Sequence, residues 1–259
     1  MEKPFQLAFA NGQMAHAIQV RTLEDLPEAL QSLGLDQPRP ALVVVGGASG
    51  MTSESLARLH LLFVEVLAPL AEALGLVVID GGTDAGVMRL MGQACAELMA
   101  QFPRIGVAAI ETVSIPSCIL APAELEALNL PTPIADAAPL EPNHTHFVLV
   151  PGSAWGDESP WLAQIASVLT AGLPSVTILI NGGAIAWSDV RYSVTEGRTV
   201  MVMDGSGRTA DTLAAGLRGE IVHEQAQALG KSGLLEVIDL RSGFDTLSKV
   251  IEGMFSTKE

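Results

Sequence analysis

Five glycine-bearing loops follow five β-branched runs, and that placement is the first sign of chemistry in this chain. Ala41–Val45 leads into Gly46-Gly47-Ala48, Leu76–Asp80 into Gly81-Gly82-Thr83, and Phe147–Val150 into Pro151-Gly152-Ser153. Val176–Asn181 leads into Gly182-Gly183, and Val200–Asp204 into Gly205-Ser206-Gly207. Glycine permits positive φ and lets a ligand approach the backbone closely. The helix after such a loop offers unpaired N–H groups and the positive end of its dipole, which together suit a phosphate or carboxylate. Any one of these loops also reads as a tight strand-to-helix turn. Three Gly-Gly pairs at five strand ends are more than a chain with 25 glycines in 259 residues produces by chance. Candidate ligand-binding residues are therefore Gly46, Gly47, Ala48, Gly81, Gly82, Thr83, Gly152, Ser153, Gly182, Gly183, Gly205, Ser206 and Gly207.

Other side chains carry weaker signals. His144 and His146 stand two apart at a strand entry, where both could face one side as metal ligands; the alternative is structural histidines hydrogen-bonded around the loop, and no metal is assigned. Asp80 and Asp204 end strands, where each either accepts ribose hydroxyls or caps the following helix. Trp155, Trp161 and Trp187 either stack on a base or pack in the core. Gly-x-Gly-x-x-Gly is absent from the first strand–turn–helix unit, and the chain contains neither Gly-x-x-x-x-Gly-Lys-Ser/Thr nor Gly-x-Ser-x-Gly. Ordinary dinucleotide, ATP and serine-hydrolase fingerprints are thus missing.

Something must hold these loops along one edge. Runs at 41–45, 76–79, 105–110, 147–150, 176–180, 200–203 and 235–238 are apolar at nearly every position, as strands buried on both faces of a parallel sheet are. Helical spacing separates them: Leu56, Leu59, Phe63, Val66, Leu70 and Leu74, then Val87, Met91, Ala94 and Leu98. Leu162, Ile165, Ala166 and Leu169 repeat the pattern, as do Leu247, Val250, Ile251 and Met254. The alternation predicts an α/β fold with a doubly wound, mostly parallel sheet and helices on both faces. Residues 5–20 predict a hairpin turning at Asn11-Gly12 that adds edge strands. Ser114–Pro142 holds six of fifteen prolines and reads as an insertion with a short helix at Ala121–Leu128, serving as a lid, a partner surface or a packed loop. One domain over 1–259 is expected, with a lead-in at 1–39, a motif-bearing core at 40–215 and a strand and helix at 216–259.

Composition narrows the partners. Fourteen basic against 29 acidic residues leave a net charge of −15, which repels nucleic-acid phosphates and anionic lipid. Mean hydropathy of +0.38 excludes disorder. The start, Met1-Glu2-Lys3-Pro4, lacks the order of a signal peptide. Cys95 and Cys118 lie in apolar surroundings that predict reduced core thiols, and Glu65, Pro69, Glu72 and Gly75 break the greasiest stretch. A cytoplasmic protein without membrane or nucleic-acid partners is expected, and its apolar-rich composition is compatible with a homo-oligomer.

Four segments carry a resemblance: Val43-Val44-Val45-Gly46-Gly47-Ala48, then Asp80-Gly81-Gly82-Thr83-Asp84-Ala85-Gly86-Val87-Met88, then Asn143-His144-Thr145-His146-Phe147, then Gly205-Ser206-Gly207-Arg208-Thr209. In that order they resemble the SLOG superfamily, and within it the branch similar to the cytosolic N-terminal domain of melastatin-type TRP channels, from about Pro40 to about Ala215. The resemblance implies a Rossmann-like fold, standing alone as in prokaryotic relatives, and a nucleotide-derived ligand of the ADP-ribose type with no further cofactor. It also implies that Arg208 contacts phosphate, a role its planar fork suits. The channel domains tend to carry an arginine early in the helix after the Asn-His-x-His-Phe strand; here Ser159-Pro160-Trp161-Leu162-Ala163-Gln164 has none.

The enzymatic wing of the superfamily includes the LONELY GUY phosphoribohydrolases, whose Pro-Gly-Gly-x-Gly-Thr stretch is matched here only by Pro151-Gly152-Ser153-Ala154-Trp155-Gly156-Asp157-Glu158. If the chain were such an enzyme, cleaving a nucleotide's N-glycosidic bond, Glu158 would be its general acid or base. The plainer reading is that Asp157 and Glu158 precede a helix capped by Ser159 with Pro160 at its first position. The resemblance thus implies a non-catalytic sensor or carrier first, a hydrolase second and an assembly module without a ligand third.

Overall fold

Residues 3–47, 49–118, 128 and 130–255 are described by the computed structural model. The chain opens with β1 (Phe5–Ala8), β2 (Met14–Gln19) and α1 (Leu26–Ser32), followed by β3 (Ala41–Gly46), α2 (Ser53–Leu62), α3 (Ala68–Ala73), β4 (Val77–Asp80), α4 (Gly86–Leu98) and β5 (Arg104–Ala109). Three two-residue strands come next: β6 (Val113–Ser114), β7 (Ser117–Cys118) and β8 (Ala138–Pro139). Then follow β9 (His146–Val150), α5 (Ser159–Thr170), β10 (Ser175–Ile180), α6 (Ala184–Thr195), β11 (Thr199–Asp204), α7 (Arg208–Leu217), α8 (Glu224–Gly230), β12 (Leu235–Asp239) and α9 (Phe244–Phe255).

The sheet runs β12-β11-β10-β3-β4-β5-β9-β2-β1-β7, with parallel pairing from β12 through β2. All seven expected strands are present. Their side chains alternate between two cores: Val43 and Val45 join α1 and α5 to α8 on one face, while Leu42 and Val44 join α2 to α4 and α9 on the other. The hairpin does lie toward the sheet edge, but β2 pairs parallel with β9 and only β1 is antiparallel to it. Phe63–Leu67 between α2 and α3 is a π-helical turn just before Pro69, which has no N–H and crowds the carbonyl four residues earlier; the wider turn relieves both problems.

Cys95 is buried, and burial pushes its thiol up to about 12, which keeps it protonated and inert. The Cys118 side chain and the expected helix over Ala121–Leu128, except buried Leu128, lie outside the described residues. Much of the rest of the insertion is packed loop: β8 pairs with β6, Pro139 accepts from the Asp84 N–H, and Leu140 bridges Thr83. Among the described residues no helix is long and apolar enough to cross a membrane.

Candidate ligand-binding site

β3 and β10 are neighbours in the sheet, yet the chain leaves β3 toward β4 and returns to β10 only after β9. Open α/β sheets bind ligands outside the carboxyl ends of strands at such a reversal. Two cavities open there. The inner one, of about 190 Å³, is walled by Gly46, Gly81, Thr83, Glu158, Gly183 and Asp189, with Trp155 on its lining. The outer one, of about 530 Å³, is walled by Gly47, Ser49, Gly86, Arg89 and Arg208. Gly46, Met88 and Gly183 line both, so the two are chambers of one cleft.

Glycine is required at the partition. Gly46 has φ +124°, and a Cβ there would stand 1.9 Å from the Ile180 carbonyl oxygen. Deeper down, Gly82 has φ +66° and a Cβ on it would lie 2.7 Å from the Cα of Gly106, so the loop after β4 closes directly onto β5. Asn181 ties three loops together. It holds φ +56°, its N–H donates to the Ser206 hydroxyl at 2.7 Å, and its side-chain amide donates to the Ser206 carbonyl at 2.8 Å and more weakly to that of Ser49 at 3.4 Å.

The expected ligand-binding residues divide into three groups. Gly46, Gly47, Gly81, Thr83, Gly183 and Arg208 line one or both chambers. Gly82, Gly152, Ser153, Gly182, Gly205, Ser206 and Gly207 line neither. Ala48 lies outside the described residues. The second group has a common physical reason: its loops are closed by the protein's own groups. The Gly205 and Gly207 N–H groups both donate to Asp211 Oδ1, at 2.8 and 2.9 Å. Those of Ser153 and Ala154 donate to Asp157 Oδ2 at 3.0 Å, and that of Gly82 donates to Asp80 Oδ1 at 2.8 Å. The Ser206 hydroxyl donates to the Met203 carbonyl at 2.5 Å. Thus three of the five loops already hold a carboxylate of the protein, and those after β9 and β11 each spend two N–H groups on it.

Helix starts and arginines supply the remaining donors. Neither α4, after Ala85, nor α6, after Gly183, has a side-chain cap, which leaves first-turn N–H groups beside the cleft. Arg208 is the first residue of α7, is exposed, and has no ion-pair or hydrogen-bond partner among the described residues. Arg89 sits in the first turn of α4, where its Nε is 2.6 Å from Asp84 Oδ1. A cation at a helix start opposes the dipole, so both arginines are placed against helix stability, with Asp84 already paired to Arg89 and Arg208 left without a partner among the described residues. Arg89 was not singled out from the sequence, and the visible signal was that unfavourable position.

The histidines part company. His144 is buried between two carboxylates, Nε2 2.9 Å from Asp80 Oδ1 and Nδ1 2.8 Å from Glu141 Oε2. Burial alone would lower its pKa, but the two carboxylates outweigh that and raise it to about 9, so the ring is an imidazolium at neutral pH. His146 instead stacks on His16 and meets the Thr145 hydroxyl at 2.8 Å, and burial lowers it to about 4. The two rings have different partners, and among the described residues no cluster of three His, Cys, Asp or Glu side chains is placed to hold a metal. Asp80 serves the turn and the imidazolium, while Asp204 pairs with Arg218 at 2.6 Å; neither lines a chamber. Of the tryptophans only Trp155 does; Trp161 packs on the core, and Trp187 stacks on His223 at 4.7 Å.

Ser159 does not cap α5. It is the first helical residue after Glu158, and its hydroxyl donates to Asp189 Oδ1 at 2.6 Å. Glu158 and Asp189 both line the inner chamber, and burial raises both carboxyls, Asp189 to about 7. Asp189 is invisible in the sequence because it lies mid-helix, where an acidic residue normally faces solvent.

A family profile described as SLOG in TRPM, prokaryote, matches residues 39–248. The chain belongs to that SLOG family. The match reaches beyond the motif-bearing stretch to include β12. The SLOG chain is also 25 % identical over 224 residues to the mouse transient receptor potential cation channel subfamily M member 2, covering 75 % of this chain and 15 % of the channel. It is 27 % identical over 209 residues to a subfamily M member-like 2 protein of Nematostella vectensis (71 % and 13 %). With human subfamily M member 6 it shares 25 % over 234 residues (80 % and 11 %). The SLOG chain therefore corresponds to less than a sixth of each of these relatives.

Proposed function

We propose that this SLOG chain binds a nucleotide-derived ligand of the ADP-ribose type as a sensor or carrier, with its phosphates in the outer chamber. The observation that carries this reading is Arg208, an unpaired guanidinium facing a chamber at the topological switch point of a protein of net charge −15. Arg89 and the first-turn N–H groups of α4 and α6 add donors, and the chamber's two arginines supply the role of the phosphate contact missing from the start of α5. Calorimetric titration with ADP-ribose is expected to show saturable binding. Arg208→Ala is expected to weaken it at least tenfold, because hydrogen bonds to charged groups contribute about 1.5–3 kcal/mol. No heat with ADP-ribose at millimolar concentration would favour the assembly-module reading instead.

A second reading, N-glycosidic hydrolysis, has Glu158 in its favour. It lines the inner chamber, and burial holds its carboxyl above the usual range, as a general acid requires. Base release from a nucleoside monophosphate, abolished in Glu158→Gln, would establish hydrolysis; its absence leaves the binder.

A further inference from the structure

The inner chamber has a chemistry of its own. At about 190 Å³ it is smaller than the roughly 300–1,000 Å³ of sites that enclose a whole drug-sized ligand, so it takes one moiety. Its polar atoms are biased to one role. Asp189 lines it and is only 9 % exposed; its Oδ1 receives Ser159, and its Oδ2 has no partner among the described residues. Glu158 receives the Gly156 N–H on Oε2, leaving Oε1 without a partner among the described residues. The Thr112 hydroxyl donates its proton to the Ala109 carbonyl at 2.8 Å, so toward the chamber it can only accept. Among the described residues no arginine or lysine lines this chamber, whereas two arginines line the next.

A chamber with two carboxylates and no cation among its described lining disfavours phosphate and suits a group that brings its own donors. A purine or pyrimidine edge presents ring-nitrogen or carbonyl acceptors beside its donors, and these would face the carboxylates unpaired. A vicinal diol presents two O–H donors to two carboxylates. We infer that the inner chamber is a diol subsite, in which Asp189 and Glu158 accept the hydroxyl protons of a ribose whose phosphate lies beyond Gly46 and Gly183 in the outer chamber.

The inference rests on the phosphate reading above, and the test separates the two. Ribose 5-phosphate and 2-deoxyribose 5-phosphate are titrated into wild-type protein, Asp189→Asn and Glu158→Gln. Asparagine keeps the shape and can still receive Ser159, while turning part of the acceptor into a donor. The wild type is expected to prefer the ribose form about tenfold, the effect of one charge-assisted hydrogen bond. The variant of whichever carboxylate holds the 2-hydroxyl is expected to bring that ratio near one, and the other variant to weaken both sugar phosphates alike. Equal affinities for the two sugar phosphates in the wild type overturn the diol subsite and leave the phosphate reading standing. A preference that persists in both variants also overturns it, since the carboxylates would not be its source. Failure of either sugar phosphate to bind, together with failure of ADP-ribose, overturns both.

Discussion

Replacing His144 with glutamine is expected to cost about 3–5 kcal/mol, the usual penalty for removing one partner from a buried ion pair. The ring lies between Asp80 and Glu141, which are 0 % and 1 % exposed. Without the imidazolium, two carboxylates are left buried together. Glu141 has no room to withdraw, because it packs against Gly92 of α4 so tightly that a Cβ there would stand 2.1 Å from its carboxyl. The loss falls on the site as well, since Asp80 holds the Gly82 N–H and Glu141 N–H donates to the Gly82 carbonyl at 2.9 Å. The same imidazolium makes stability depend on pH. Its pKa is raised from 6.5 to about 9 on folding, so its contribution is complete below pH 6.5 and is lost as pH rises through 9. That gap corresponds to roughly 3 kcal/mol. Urea unfolding at pH 6.5 and pH 9.5 is expected to show a loss of that order in the wild type and a much smaller one in His144→Gln. A wild-type curve that does not change between those two values would mean the ring is neutral when folded.

Gly46→Ala is expected to be the most damaging single methyl group at the cleft. The position combines φ +124° with a Cβ 1.9 Å from a main-chain oxygen of β10, and the obstacle is backbone that cannot swing aside. Strain and overpacking together amount to roughly 2–6 kcal/mol. Relief requires β3 and β10 to part where Gly46 pairs with Ile180, at the wall common to both chambers. A lowered melting temperature and loss of ADP-ribose binding are therefore expected together. Gly50→Ala is the control: its φ is +76°, but nothing stands within 4 Å of its Cβ, so it should show the smaller strain alone.

The parallel sheet was legible because its strands are buried on both faces and read as unbroken apolar runs; Ala41–Val45 and Val176–Ile180 are the clearest. Helices with several turns of period, such as Val87 to Leu98, were equally plain. α1 and α8 span seven residues each, too short for a period to emerge, and α1 announces itself only by Pro27 in its first turn. At the site, Gly46, Gly81 and Gly183 were legible because strand ends converge on one edge. What the loops alone could not reveal was which of them are already closed. That information resides in Asp157 and Asp211, four residues past Ser153 and Gly207 respectively, whose carboxylates fold back onto the N–H groups. Asp189 and Arg89 were missed for the opposite reason, being ordinary residue types within helices whose importance comes only from the cavity they face.

The two internally closed loops have a consequence for how a ligand would register on the sheet edge. Asp157 and Asp211 act as tethered counter-anions flanking the cleft, one beyond β9 and the other beyond β11. A polyphosphate that slid toward β9 or toward β11 would meet a carboxylate in place of free N–H groups. On the proposed function, the edge would behave as a keyed track with an open berth between two stops, and ligand length would be measured from that berth by repulsion at its ends as much as by attraction at its centre.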